Sequence, residues 1–101
     1  MPEVFDIPLP QNVDCDAVER MIEDAVQQIG LRIVYRASLK KFPGCMHWHV
    51  KNGHASGTLE ITLWPQQKYA WFTIQKGRTA PWIRETIGRL GELLQMRLGT
   101  A

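Results

Sequence analysis

The stretch CMHWHVKNGHASGTLEITLW, residues 45–64, predicts a β-hairpin and contains all three histidines of the chain. Apolar and polar side chains alternate along both of its halves, which is the period of a strand with one buried face. The pair Asn52-Gly53 and the later Gly57 separate the two halves and favour a turn. We expect the inward side chains to be Met46, Trp48 and Val50, followed by Leu59, Ile61 and Leu63. The outward side chains are then Cys45, His47, His49 and Lys51, followed by Thr58, Glu60, Thr62 and Trp64.

Alternating stretches on both sides of this hairpin predict two more strands. Residues 31–40 and residues 68–76 repeat the period of two. Turn residues at 42–44 and 65–67 join them to the hairpin, and such short connections favour an antiparallel meander. In the first strand we expect one face to carry Leu31, Ile33, Tyr35, Ala37 and Leu39, and the other Arg32, Arg36, Ser38 and Lys40. In the strand predicted at residues 68–76, Ala70, Phe72 and Ile74 face inward and Tyr69, Trp71, Thr73 and Gln75 face outward.

Apolar residues at helical spacing predict one helix before the strands and one after them. The first spans residues 15–29, is capped by Asp14 or Asp16 and stops at Gly30. The second opens at Thr79 and Pro81, because proline is tolerated in the first turn of a helix. Its buried stripe is Ile83, Ile87, Leu90, Leu94 and Leu98, and that of the first helix is Val18, Ile22, Ala25, Val26 and Ile29.

The predicted fold class is α+β. We expect a two-layer sandwich of helix, four-stranded antiparallel meander and helix, with both helices on one sheet face. Residues 1–101 form a single domain, and residues 1–13 form an extended N-terminal arm with a short edge strand at 4–7. At 45% hydrophobic residues the chain can build a core without disulfides. The second face of the sheet is left uncovered, and any function should lie there.

Three features of the composition favour the cytoplasm. The chain has no run of 18 apolar residues, so we expect no contact with the membrane interior. The N-terminus carries Glu3 and Asp6 but no basic segment, and is therefore not a secretory signal. Cys15 and Cys45 are far apart in the sequence and suggest free thiols in a reducing compartment.

The uncovered face gathers potential metal ligands. His47 and His49 are two residues apart and share one side of their strand. Facing parity in the hairpin places Glu60 opposite either His49 or His47. Two histidines and one carboxylate are the ligand set of many zinc sites and of non-haem iron centres. The sequence therefore predicts a divalent metal such as zinc at these residues, with Cys45 and His54 as further candidate ligands.

The same face has an interpretation without a metal. Parity in the preceding strand places Arg36 near His49 and Ser38 near His47. A guanidinium so close would repel a cation and compete for Glu60. A hydrogen-bonded network of histidine, glutamate and arginine is the alternative.

Aromatic side chains extend the face. We expect Trp64 opposite Tyr69 and Thr62 opposite Trp71. Exposed rings in such number favour a homodimer that stacks sheet on sheet, a small-ligand cleft or a base-stacking platform. The candidate ligand-binding residues are Arg36, Ser38, His47, His49, Glu60, Thr62, Trp64 and Trp71.

Nucleic-acid binding is the weakest of these alternatives. Residues 1–30 carry seven acidic residues and one arginine, a net charge of −6, whereas residues 31–101 carry eleven Lys and Arg and three Glu, a net charge of +8. The total of +2 is modest for a phosphate binder. The order of helix, sheet and helix is similar to that of double-stranded RNA-binding domains, but the basic start of their second helix reduces here to Arg78 and Arg84.

Enzymatic chemistry also has little support in the sequence. There is no nucleophile elbow and no phosphate-binding loop. Ser38 with His47 and Glu60 resembles a triad in composition, yet adjacent strand positions supply no oxyanion hole. We expect a binding protein rather than an enzyme, and metal-assisted hydrolysis or oxidation if it is a catalyst.

Overall fold

The computed structural model of this protein describes residues 2–99, which form five strands and two α-helices. The helices are α1 (Cys15–Gln28) and α2 (Pro81–Leu98). A 3-10 turn, Pro65–Gln67, joins the last two strands. The strands are β1 (Glu3–Ile7), β2 (Arg32–Ala37), β3 (Met46–Lys51), β4 (Leu59–Trp64) and β5 (Tyr69–Ile74).

The sheet has the order β1-β5-β4-β3-β2, and every pairing is antiparallel. The α+β class and the meander of β2 to β5 are confirmed. A fifth strand, β1, pairs with β5 at the edge of this meander and confirms the short edge strand expected at 4–7. Phe5 packs against the core and Ile7 is buried in it, so the arm is fixed to the sheet. Pro8 and Pro10 end the strand because they lack a backbone N–H.

Both helices cover one face of the sheet. The predicted stripe of α1 is buried from Val18 to Val26, and α2 buries Ile83, Leu90 and Leu94. These side chains form one apolar core with the inward residues of β3, β4 and β5, among them Trp48. None of the helices within residues 2–99 combines the length and apolar character needed to cross a bilayer.

A β-bulge in β2 changes which of its side chains face the helices. Ile33 lies opposite Val50. Tyr35 is two residues further along β2, yet it lies opposite His49, which is directly adjacent to Val50 in β3. The extra residue is Val34, and it reverses the facing of everything after it. The expectation that Ile33, Tyr35 and Ala37 share one face is therefore wrong.

The bulge sends Arg36 to the helix face, where it forms ion pairs with two carboxylates of α1. Its guanidinium contacts Glu19, and its Nε donates to Oε2 of Glu23 over 2.7 Å. The buried Trp48 donates its Nε1 to the same oxygen over 2.8 Å. The hydrogen bond that Arg36 donates to Glu23 raises the pKa of its guanidinium above the ordinary value. The prediction that Arg36 lies beside His49 is therefore wrong, because α1 supplies its counter-ions on the opposite face.

Candidate metal centre

The outward side chains of β3 and β4 lie opposite each other in pairs. His49 faces Glu60 and His47 faces Thr62. Parity had left two registers open, and the structure has the one that pairs His49 with the carboxylate. Because residues two apart on a strand share a face, His47 also lies beside Glu60. The hairpin thus brings two imidazoles and one carboxylate together.

His47 stands at the centre of this cluster. Its Nε2 lies 3.2 Å from Nε2 of His49 and 3.3 Å from Oε1 of Glu60. One ligand atom from each of the three residues lies within 4.8 Å of the other two. A tetrahedral zinc ion with bonds of ~2.0–2.1 Å holds its ligand atoms about 3.3 Å apart. Two of the three separations already have this value, so small side-chain rotations would close the set around one ion.

The ring of His47 is oriented from behind by Thr62. Nδ1 of His47 and Oγ1 of Thr62 are hydrogen-bonded at 2.8 Å. In the metal-free protein His47 donates to Glu60 through Nε2, so Nδ1 accepts from the Thr62 hydroxyl. Metal binding would require the other tautomer, in which Nδ1 donates to the hydroxyl and Nε2 directs its lone pair at the ion. His47 is only 6% exposed and Thr62 only 1%, so both rotamers are held by packing. This is the arrangement that metal-binding histidines commonly have.

Glu60 is held in its charged form although it is buried. Burial raises the pKa of its carboxyl, but hydrogen bonds from His47 and from Gln75 outweigh this and leave the pKa below its ordinary value. The Gln75 amide donates to Oε1 over 3.3 Å. Arg78 places Nη1 3.8 Å from Oε2, the other carboxylate oxygen. A charged carboxylate is the state that coordinates a metal.

His49 is held in its neutral form. Burial lowers the pKa of its ring, the neighbouring His47 and Arg78 lower it further, and Glu60 opposes them. Tyr35 lies against the ring, with centroids 4.8 Å apart. A neutral imidazole retains the lone pair that a metal requires.

The face that carries these groups is partly covered by the segment between β2 and β3, residues 38–45, here called the covering segment. Its Phe42 ring lies 4.9 Å from Trp64 and 5.3 Å from Trp71. Trp64 also donates its Nε1 to the Pro43 carbonyl over 3.2 Å. Trp71 is consequently only 9% exposed. The expectation of an uncovered face is therefore wrong at its aromatic end.

A cavity of about 280 Å³ remains between the covering segment and the sheet. His47 and Glu60 line its floor together with Thr62, Thr73 and Gln75. Its walls are Pro2, Val4, Leu39, Lys41, Phe42 and Trp71. Two of the three candidate metal ligands, His47 and Glu60, therefore border a space that a small molecule can enter.

The structure places the remaining candidate residues in different surroundings. Ser38 donates its hydroxyl to the Cys45 carbonyl over 2.8 Å and so braces the covering segment. The Cys45 thiol accepts from the Leu39 amide at 3.2 Å, and His54 is exposed in the turn after β3. Neither Cys45 nor His54 belongs to the metal-ligand group found within residues 2–99.

Two contributors to the site escaped sequence reasoning. Tyr35 reaches His49 only because of the bulge at Val34, the one apolar residue among the even positions of residues 31–40 that are expected to be polar. The sequence places Phe42 in a turn, and its packing on Trp64 and Trp71 depends on contacts with distant residues that the local pattern does not reveal. No protein-family model, curated protein or solved structure matches this chain.

Proposed function

We propose that this protein binds a divalent transition metal, zinc in the first place, through His47, His49 and Glu60. The observation that carries the proposal is the position of His47 Nε2, 3.2 Å from one candidate ligand atom and 3.3 Å from another. These separations are close to the edges of a tetrahedral zinc site. The protonation states favour binding too, because His49 is neutral and Glu60 is charged.

The surroundings of the cluster add a second argument. Catalytic and ligand-exchanging zinc sites have three protein ligands and an open position, whereas structural sites are closed by four. The cluster supplies three ligands, and two of them, His47 and Glu60, also line the cavity. The site therefore resembles one that exchanges its fourth ligand.

Arg78 is a feature that opposes a cation here. It approaches Oε2 of Glu60, whereas Oε1 is the oxygen that faces His47. The Arg78 side chain is 53% exposed, so it can turn into solvent when a cation arrives. Binding of a metal at Oε1 leaves Oε2 available to the guanidinium, and the two contacts are compatible.

The test is zinc binding by protein purified without a histidine tag and stripped with a chelator. Calorimetry should give one zinc per chain, and His49→Ala should abolish the binding. His54→Ala is the matched control, because His54 is exposed and outside the cluster. At a zinc concentration of one hundred times Kd, linkage adds about 2.7 kcal/mol of stability. In a domain of this size that raises Tm by roughly 10–20 °C.

Failure of this test has a clear form. If neither Zn²⁺ nor Fe²⁺ nor Ni²⁺ binds or raises Tm, the three residues are a hydrogen-bonded network and the proposal is wrong. Equal loss of zinc in His49→Ala and His54→Ala would place the metal elsewhere.

Self-association and base stacking have less support. Both proposals need rings that are open to solvent, but Phe42 covers Trp64 and Trp71 within one chain. Tyr69 and Tyr35 are the larger exposed rings on this face, at 40% and 48%. A cytoplasmic location remains our proposal, in keeping with the free thiols of Cys15 and Cys45.

A further inference from the structure

We infer that the open position of the metal takes a small monocarboxylate with an apolar body, which lies in the cavity beneath the covering segment. This inference rests on the proposed metal site and names its ligand class. It is argued from the size of the cavity, the chemistry of its walls and the charge that the proposed metal and Lys41 would give it.

The size of the cavity suits a small molecule, part of which would stay open to solvent. At about 280 Å³ it lies just below the range of ~300–1,000 Å³ typical of pockets for drug-sized ligands. A single aromatic ring or a short branched chain with one polar group is the scale that fits.

The residues that form the walls of the cavity favour a ligand with an apolar body. The side chains that rise above the sheet around the metal ligands include Leu39, Phe42 and Trp71. The Phe42 and Trp71 rings are nearly perpendicular, at 78°, with centroids 5.3 Å apart, so they form an aromatic corner. A ligand ring or alkyl group gains by leaving water against such a corner.

The charge calls for an anion. Glu60 is the only carboxylate among the cavity-lining residues, and a divalent ion on Glu60 and two neutral histidines leaves one net positive charge. Lys41 adds a second positive charge at the cavity wall, with its Nζ 5.6 Å from the centre of the Phe42 ring. A carboxylate that coordinates the metal with one oxygen can accept from Lys41 with the other. Arg78 lies beside Glu60 but is not one of the residues that line the cavity, so inorganic phosphate is included in the test as a competing anion.

The experiment uses protein loaded with Co²⁺ in place of zinc, because the visible absorption of cobalt reports a change in its ligands. Benzoate is the probe, benzamide is its neutral counterpart of the same shape, and inorganic phosphate represents the other anion class. We expect benzoate to shift the cobalt bands with saturation and benzamide to leave them unchanged. Lys41→Gln should weaken benzoate by about tenfold, through loss of one charge-assisted contact.

Lys40→Gln is the matched control, since Lys40 is the adjacent exposed lysine and lies outside the cavity lining. It should leave benzoate affinity unchanged. Phe42→Leu, which keeps an apolar side chain on the covering segment, should weaken benzoate more than acetate, because only benzoate uses the aromatic corner.

The outcomes separate this inference from the proposed function. If no cobalt spectrum develops, the metal site fails and the ligand class fails with it. If cobalt binds but benzoate leaves its bands unchanged, or benzamide binds as tightly as benzoate, the metal site stands and the monocarboxylate is rejected. Tighter binding of phosphate than of benzoate would likewise overturn the ligand class.

Discussion

Two carboxylates on opposite faces of the sheet, Glu23 and Glu60, have partners of very different kinds. Glu23 accepts from the Arg36 guanidinium and the Trp48 indole, which only donate and have no lone pair to offer a metal. Glu60 faces imidazoles, which can exchange a proton for a metal. A carboxylate below the surface is therefore a candidate metal ligand when its partners can exchange a proton for a metal. It remains structural when its partners can only donate hydrogen bonds.

The difference between the two carboxylates is tested most directly by replacing each of them in turn. Glu60→Gln should lower zinc affinity by more than about 100-fold, since loss of a ligand costs more than loss of a supporting residue. Glu23→Ala should leave zinc affinity unchanged but cost about 1–3 kcal/mol of unfolding free energy, because the Trp48 N–H loses its acceptor. Calorimetry and urea unfolding check the two halves. Loss of zinc in Glu23→Ala with a native fold would mean that the two faces are coupled.

The second prediction concerns the hydrogen bond that orients His47. Thr62→Val keeps the shape of the side chain and removes the hydroxyl, so we expect zinc affinity to fall by about 10–100-fold. Thr73→Val is the control, because Thr73 is also buried and lines the same cavity but is not bonded to His47. Similar affinities in the two variants would show that Thr62 has no role in positioning the ligand.

The third prediction tests the loop that anchors Arg78 near Glu60. Gly57 has φ +94°, and an added Cβ would lie 2.8 Å from Cβ of Ala80 and 3.0 Å from the Arg78 carbonyl. Gly57→Ala should therefore cost about 1–3 kcal/mol in urea unfolding. Gly53→Ala shares the positive φ but has nothing within 4 Å, so its cost should be smaller. Equal costs would mean that the close approach to α2 is unimportant.

A fourth prediction concerns the pH dependence of the metal-free protein. The folded-state pKa values of His49 and Glu60 are both lowered, so their contribution is complete above the ordinary values and is lost as pH falls. Unfolding free energy should decrease below pH 6.5, the ordinary value of histidine, and again below 4.5, that of glutamate. His49→Gln should remove the first decrease. An unfolding free energy that rises as the pH falls from 6.5 to about 5 would contradict these directions.

The smallest effect is expected on the helix side, away from both carboxylates. Gly88 in α2 has nothing within 4 Å of an added Cβ, so the glycine permits no close approach. Gly88→Ala should raise the unfolding free energy by up to about 1 kcal/mol with zinc affinity unchanged. If Gly88→Ala instead lowers the unfolding free energy, the added methyl group meets a packing constraint and this prediction is wrong.

The sequence predicted much of the site because period-two patterning is a strong signal where one face is buried. The pairs Trp64–Tyr69 and Thr62–Trp71 follow from it and are found in the structure. The β3–β4 register was narrowed to two choices, and both brought Glu60 beside a histidine. Errors arose in β2 and in the segment after it, where tertiary contacts overrule local pattern.

By itself, therefore, the sequence determined the α+β class, both helices, the meander and the side of the sheet on which His47, His49 and Glu60 meet. Apolar periodicity carries that information along the chain, residue by residue. Only the tertiary structure decided the bulge at Val34, the turn of Arg36 toward α1 and the position of Phe42 over the tryptophans. Each depends on partners more than ten residues away, whose attraction cannot be read from the alternation of neighbouring side chains.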